Sequence, residues 1–220
     1  MIYKDLNGRV EVKLFGYNKM VAPGYTIINN IGFEPGEVVI EIGSETGHGS
    51  TGYLAAFCKA RHINFYSVDA DKTQYDRVKH LSDSYFTAFC ASGEDFLTKI
   101  FPNFNKQVKF VYLDNFDWTY EGTENLRRVR ACVAKYKERG VDLNNRDSQK
   151  AHLQQSILVS NYVVKNGVIL FDDTWQPSEG VFNGKGGTAV PWLLSHGFVI
   201  YKTYNTPDLE WNFVSVIKTA

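Results

Sequence analysis

Cysteine is scarce: Cys58, Cys90 and Cys132 are the only three in 220 residues. They are odd in number, widely spaced and form no Cys-x-x-Cys pair, so neither a disulfide framework nor a structural zinc site is indicated, and reduced core thiols are expected. The sequence also lacks an apolar run long enough to cross a bilayer, and its opening MIYKDLNGRV has no secretion-type apolar core. A cytoplasmic protein with no membrane partner is therefore expected. Net charge is missing as well, because 24 Lys plus Arg balance 24 Asp plus Glu. That balance leaves no electrostatic footprint for nucleic acid, and no Asn-Pro-Pro-Tyr type motif for a flipped base is present, so no nucleic-acid partner is expected. The length fits one domain over residues 1–220, large enough to be held by burial alone.

What the chain does have is VVIEIGSETGHGST, residues 38–51. Val38, Val39, Ile40 and Ile42 make a short strand suited to burial on both faces, and it stops at Gly43. Gly47 and Gly49 follow in the loop, and a helix begins at Ser50 or Thr51 and runs through Phe57. Its first N–H groups point back at the loop, a mouth for polar or anionic ligand groups. Taken alone, the loop is equally a plain strand-to-helix turn. Its spacing, Gly-x-x-x-Gly-x-Gly with Glu41 two residues ahead, departs from the dinucleotide fingerprint. It resembles motif I of the class I S-adenosylmethionine (SAM) dependent methyltransferases, which implies cofactor contacts from Glu41, Gly43, Ser44, Gly47, Gly49 and Ser50.

Further strands follow in order. INFYSVDAD, residues 63–71, ends in carboxylates, and Asp69 lies about twenty residues past the last loop glycine, where an acidic residue accepts from ribose hydroxyls. Ala70 sits beside it; the alternative is that Asp69 or Asp71 caps the next helix. YFTAFC, 85–90, is a third strand, and the resemblance makes Ser92, Gly93 and Glu94 adenine neighbours. Ser92 also reads as a helix N-cap with Asp95 three residues on. VKFVYL, 108–113, delivers Asp114 to a fourth strand end. Residues 123–165 make an extended helical connection: a basic helix around 126–139 with a solvated face, a break, then an amphipathic helix from 148 to 165 packing Leu153, Ile157, Leu158, Tyr162 and Val163 on the sheet.

Val168 to Phe171 form a fifth strand ending at Asp172 and Asp173. Asp114, Asp172 and Asp173 at adjacent strand ends repel one another too strongly to persist without a cation or a shared proton, and oxygen-only ligands suit Mg²⁺. The alternative has Asp172 or Asp173 bonded to loop backbone and Asp114 touching only the cofactor. Residues 176–191, rich in glycine and polar groups, read as an active-site lid. Residues 1–36 read as a cap segment, and two closing strands, 197–204 and 211–219, form a hairpin with no helix between.

Together the chain resembles the class I methyltransferases over about residues 36–219. The implied fold is α/β and Rossmann-like: a mostly parallel seven-stranded sheet with helices on both faces and a C-terminal antiparallel hairpin. Within that class the strand-end carboxylates look like the metal-dependent O-methyltransferases acting on catechols or sugar hydroxyls. The resemblance implies SAM and Mg²⁺ as cofactors, Asp114, Asp172 and Asp173 as metal ligands, and a small-molecule hydroxyl as acceptor. Where that group has a histidine this chain has Asp117, which becomes the expected general base, with His152 in reserve; Asp114 is counted with both cofactor and catalytic residues. Trp118, Trp175 and Trp192 are candidate acceptor walls. A nucleotide-cofactor oxidoreductase and a SAM-binding protein without catalysis stand as alternatives.

Overall fold

Short runs of β-branched and aromatic residues build the centre of the protein. The computed structural model describes residues 3–4, 10–14, 17–21, 24–44, 46–123, 126–206 and 212–220, with side chains from residue 24 onward other than Arg128. Strand β4 (Glu37–Ile42) is buried along all six positions, as a central strand covered on both faces must be. Beside it lie β5 (Asn64–Asp69) and β6 (Phe86–Cys90) on one side, and β7 (Gln107–Leu113) and β8 (Val163–Asp172) on the other. The hairpin of β11 (Phe198–Tyr204) and β12 (Phe213–Lys218) completes seven strands in the order β11-β12-β8-β7-β4-β5-β6. Pairs from β8 to β6 are parallel, and β12 lies antiparallel between β8 and β11. The expected α/β fold with its antiparallel C-terminal pair is therefore what the chain adopts. Trp211, placed in the last strand from sequence, lies outside the described residues.

Strand alternation divides the core in two. Val39 packs with Leu54 and Phe57 of helix α1 (Ser50–Arg61), while Val38, Ile40 and Ile42 face Phe96, Phe101 and Val159 on the other side. Tyr25, Ile27 and Ile28, from a single 3₁₀ stretch at Tyr25–Asn30, enter the α1 side. The preceding strands β1 (Tyr3–Lys4), β2 (Val10–Leu14) and β3 (Tyr17–Val21) form a separate antiparallel sheet.

Three elements depart from the sequence reading. Between α4 (Arg127–Glu138) and β8, helix α5 runs from Asn145 to Ser160, starting earlier and stopping five residues short of expectation. Asn144 supplies the N-cap, accepting from the Asp147 N–H at 2.8 Å. The β-branched Val163 and Val164 then open β8, whose pairing jumps from Val108↔Val163 to Phe110↔Val168 across a bulge. Second, the buried face of α5 is Ser148, His152, Gln155, Ser156 and Val159, whereas Leu153, Ile157 and Leu158 are half-buried. Third, residues 176–191 are no open loop. Strands β9 (Thr174–Ser178) and β10 (Val181–Gly184) turn at Gly180, and α6 (Ala189–Leu194) follows.

Candidate active site at the carboxyl ends of the strands

Gly43 is where the glycine-loop half of the site begins. Its φ of +103° and the 2.6 Å that would separate a Cβ from the Asp114 carbonyl oxygen leave room only for glycine, so the ends of β4 and β7 touch. Two residues earlier, Glu41 is 0% exposed and accepts from Ser50 Oγ (2.5 Å), Thr51 Oγ1 (2.7 Å) and Ser67 Oγ (2.6 Å). Burial outweighs those three hydrogen bonds and pushes its carboxyl up to about 7. Helix α1 has Gly49 as N-cap and so no side-chain capping bond, while the Ser50 and Thr51 hydroxyls at its first turn donate to Glu41. Ser44 donates from N (3.1 Å) and Oγ (3.2 Å) to Asp69 Oδ2, and Asp69 Oδ1 accepts from Asp71 N at 2.8 Å. Asp71 caps the next helix, α2 (Lys72–Val78), accepting from Thr73 N at 2.9 Å, and is also paired with Arg139.

A cavity of about 520 Å³ opens over these strand ends. Of the expected cofactor residues, Gly43, Asp69, Ala70, Ser92, Gly93 and Glu94 line it. Glu41, Ser44 and Ser50 turn instead to one another's neighbours and brace the loop from behind, while Gly47 packs against Val78. Ser92 also caps the short helix α3 (Gly93–Asp95), accepting from Asp95 N at 3.0 Å, so both readings of that residue hold. Sequence reasoning missed Asn115, Phe116, Tyr136, Arg139 and Gln155 in the wall. Gln155 Nε2 donates to Glu94 Oε1 at 3.0 Å, and its own Oε1, like Asn115 Oδ1, is buried with no donor from the chain.

The second half of the site, rich in carboxylates, lies at the ends of β7 and β8. Asp114, Asp172 and Asp173 do come together, each offering an oxygen within 4.8 Å of the others. The cation among them is Lys185. Its ammonium is 2.6 Å from Asp114 Oδ1 and 3.0 Å from Asp173 Oδ2, and its side chain is 2% exposed while those carboxylates keep 26% and 30%. Tyr112 donates to Asp114 Oδ2 at 3.3 Å, and Tyr120 to Asp173 Oδ1 at 2.8 Å. Burial works against the Lys185 charge, but the carboxylates of Asp114, Asp173 and Asp172 prevail and hold it well above the usual lysine range. For Asp172, burial and then the charges of Asp114 and Asp173 raise the carboxyl well above its ordinary value. Burial pushes Asp173 the same way, yet Lys185 and the Tyr120 hydroxyl together hold it below the carboxylate range. The cation that the clustering demanded is thus present within the chain.

A Mg²⁺ ion requires near-octahedral oxygen ligation at about 2.1 Å. Here every oxygen of Asp114 and Asp173 already accepts from the chain, and an ammonium bridges the two carboxylates. The residues as arranged do not fit the metal that the resemblance implied. No sequence motif announced Lys185; the signal available was the need for positive charge, together with a lysine inside the glycine-rich Asn183-Gly184-Lys185-Gly186-Gly187 segment.

His152 does not reach this surface. It is fully buried, its Nδ1–H donates to Ser148 O at 2.7 Å, and Nε2 has no partner. Burial, reinforced by the Lys185 charge, pushes it down to about 3, so it stays neutral and out of reach of any substrate. Asp117 is exposed beside the cluster, where its backbone N–H donates to Tyr136 Oη at 2.9 Å and its carboxylate accepts from Cys132 Sγ at 3.0 Å. Tyr120 stacks on Trp175 with centroids 5.6 Å apart, and Trp118 meets Trp175 edge-on at 6.2 Å. Trp192 stacks on His196 instead.

No protein-family model and no curated protein matches the sequence. Solved structures match the fold. A proposed rRNA-methylase from Clostridium thermocellum superposes with a TM-score of 0.55 at 14% identity, over 88% of this chain and 94% of that one. The N-methyltransferase NodS from Bradyrhizobium japonicum WM9 gives 0.52 at 11% identity, over 89% and 94%. SMU.1697c, a proposed methyltransferase from Streptococcus mutans in complex with SAH, gives 0.52 at 10% identity, over 88% and 94%. The chain has the class I methyltransferase fold, shared with SAM-dependent enzymes. The expectation that nucleic acid is excluded is corrected by the same comparison. A proposed rRNA-methylase is among the proteins of this fold, so charge balance and a missing base-flipping motif are no ground for excluding a nucleic-acid acceptor. As for membranes, no described helix is long and apolar enough to cross one.

Proposed function

We propose that the protein is a SAM-dependent methyltransferase acting on a hydroxyl group of a small molecule. The observation that carries this reading is the polarity of the cavity. Its wall is lined by Asp69, Asp71, Glu94, Asn115 and Gln155, while its basic residue Arg139 is paired with Asp71. Acceptors of this kind suit ribose hydroxyls, an adenine amine, an ammonium and a sulfonium. They suit the pyrophosphate of a dinucleotide poorly, which weighs against the oxidoreductase alternative.

In this reading Asp69 accepts from the ribose diol, and Ser92, Gly93 and Glu94 lie beside adenine. The acceptor enters on the open side of Asp114 and Asp173, flanked by Tyr120 and Trp175. Its hydroxyl oxygen forms a bond to the methyl carbon as the sulfur–carbon bond breaks, leaving neutral SAH, and Asp117 takes the hydroxyl proton directly or through a water.

Calorimetric titration with SAM, SAH and NAD tests the cofactor. SAM and SAH are expected to bind with NAD silent, and Asp69→Asn should weaken SAH by about 10–100-fold, the weight of a charged hydrogen bond. Labelled methyl transfer to a panel of sugars, catechols and RNA then tests the acceptor, with Asp117→Asn expected to stop transfer and leave SAH affinity intact. Silence toward both SAM and SAH would sink the proposal; transfer to RNA alone would replace its acceptor.

A further inference from the structure

The acidic cluster holds a feature that methyl transfer does not by itself call for. Lys185 reaches it from inside the protein, on a backbone pinned at each side. The Lys185 N–H donates to Asp173 O at 3.0 Å, Gly186 N donates to Thr174 Oγ1 at 2.8 Å, and Gln149 Nε2 donates to Gly184 O at 3.0 Å. Gly184 has φ +85°, and a Cβ there would lie 1.9 Å from Asp173 O, so only glycine lets β10 run this close to the end of β8. Asp173 itself is held at φ +44°, strained backbone for a non-glycine residue. The turn is thus built to deliver one side chain between two carboxylates.

We infer that Lys185 is a built-in counter-ion standing where a divalent metal stands in the enzymes this site resembles, and that it orients Asp114 and Asp173 for the acceptor without any metal. Rotation of the lysine toward solvent is blocked by its burial, since its side chain is 2% exposed. A metal at the open edge of Asp114 and Asp173 would share both carboxylates with the ammonium and meet like charge at short range. With Tyr112 and Tyr120 donating to the remaining oxygens, both carboxylates are fixed in rotation before any ligand arrives. Lys185 is a positioning residue: it acts through the carboxylates and does not touch the substrate. Its catalytic consequence rests on the methyl-transfer reading; its effect on metal binding does not.

The experiment is a titration of the full chain with Mn²⁺, followed by the loss of the free-ion electron paramagnetic resonance signal, for wild type, Lys185→Ala, Asp173→Asn and Lys185→Ala/Asp173→Asn. Wild type is expected to show no Mn²⁺ binding that depends on Asp173. Lys185→Ala should gain a site at least about tenfold tighter, because a like charge has left, and the double variant should lose it. Methyl transfer by wild type should survive EDTA, while Lys185→Ala should be inactive in EDTA and recover with Mg²⁺. A purely structural lysine would not produce that switch. Tight Mn²⁺ binding by wild type that Asp173→Asn abolishes would overturn the inference, as would wild-type transfer lost in EDTA and restored by Mg²⁺. Should Lys185→Ala fail to fold, the wild-type and Asp173→Asn titrations still decide. If no methyl transfer is found at all, the proposed function falls while the Mn²⁺ titrations still judge Lys185.

Discussion

The two halves of the strand-end row bury carboxylates by different means. Under the cofactor cavity, Glu41 is surrounded by hydroxyl donors from Ser50, Thr51 and Ser67, with no cation among its hydrogen-bond partners. At the acceptor end, Asp114 and Asp173 share the Lys185 ammonium. Three neutral donors leave the Glu41 carboxyl raised to about 7, whereas Lys185 and the Tyr120 hydroxyl together keep Asp173 below the ordinary range; Asp114, on the same ammonium, is still raised by its burial. Neutral hydrogen bonds compensate desolvation in part, and a charge joined by a hydroxyl donor more than offsets it at Asp173. The cofactor half is therefore a rigid brace that can take up a proton, and the acceptor half is an ion cluster built around one ammonium.

Removing the charge should give the largest effect. Lys185→Met leaves Asp114 and Asp173 facing each other without a counter-ion, and urea denaturation at pH 7 should show a loss of about 3–4 kcal/mol, near the lower end for breaking a buried pair because the carboxylates are partly solvated. Asp173 is depressed in the folded state, so its contribution is present above the unfolded carboxylate value and lost as pH falls through the folded one. The gap between wild type and variant should therefore narrow below about pH 4. A constant gap across pH would mean that packing, not charge, is what Lys185 supplies.

Glu41 should behave in the opposite sense. Its folded carboxyl titrates at about 7 against an ordinary value of 4.5, so the folded chain holds a proton that the unfolded chain has released. Its stabilising contribution is complete below pH 4.5 and is lost as pH rises through about 7. The shift corresponds to roughly 3 kcal/mol. Glu41→Gln should remove that decline, so wild type and variant should converge in acid and separate toward pH 8 in stability profiles. Parallel profiles would show that the hydroxyls already keep the carboxylate ionised in neutral solution.

How legible each half was in the sequence follows from how local its contacts are. β4, the turn at Gly43 and the Asp69 position are encoded within a few residues of one another, by β-branched runs, glycine and a strand-end acid. Asp114, Asp172 and Asp173 were readable for the same reason, since each ends a strand. Lys185 was not, because it joins Asp114 across 71 residues through a hairpin whose pairing no local pattern shows. Pro177, Gly180 and the glycines around Lys185 favour a loop reading, and β9 and β10 form because they pair with each other. Helix α5 was legible in part. Leu153, Leu158 and Tyr162 pack against the sheet core as the apolar stripe indicates, but the fully buried face is mostly polar because it borders the site, Gln155 lining the cavity and His152 lying near the Lys185 charge.

Helix α4 supplies the smallest and last test of the contrast. Its basic residues read as a solvated face, and most are exposed, yet Arg139 pairs with Asp71 across 68 residues and lines the cavity beside Tyr136 and Val141. That pair belongs to the cofactor half but uses the acceptor half's device, a charge on a charge. The difference is solvent, because Arg139 is 37% exposed where Lys185 is 2%. An exposed pair is worth at most about 1 kcal/mol and is screened by salt. Arg139→Ala should accordingly weaken SAH by no more than about fivefold in calorimetric titration at low salt, with the difference fading as salt is raised. A loss near a hundredfold that salt leaves unchanged would place α4 among the walls the cofactor needs, and the line between braced and charged halves would have to be redrawn to include it.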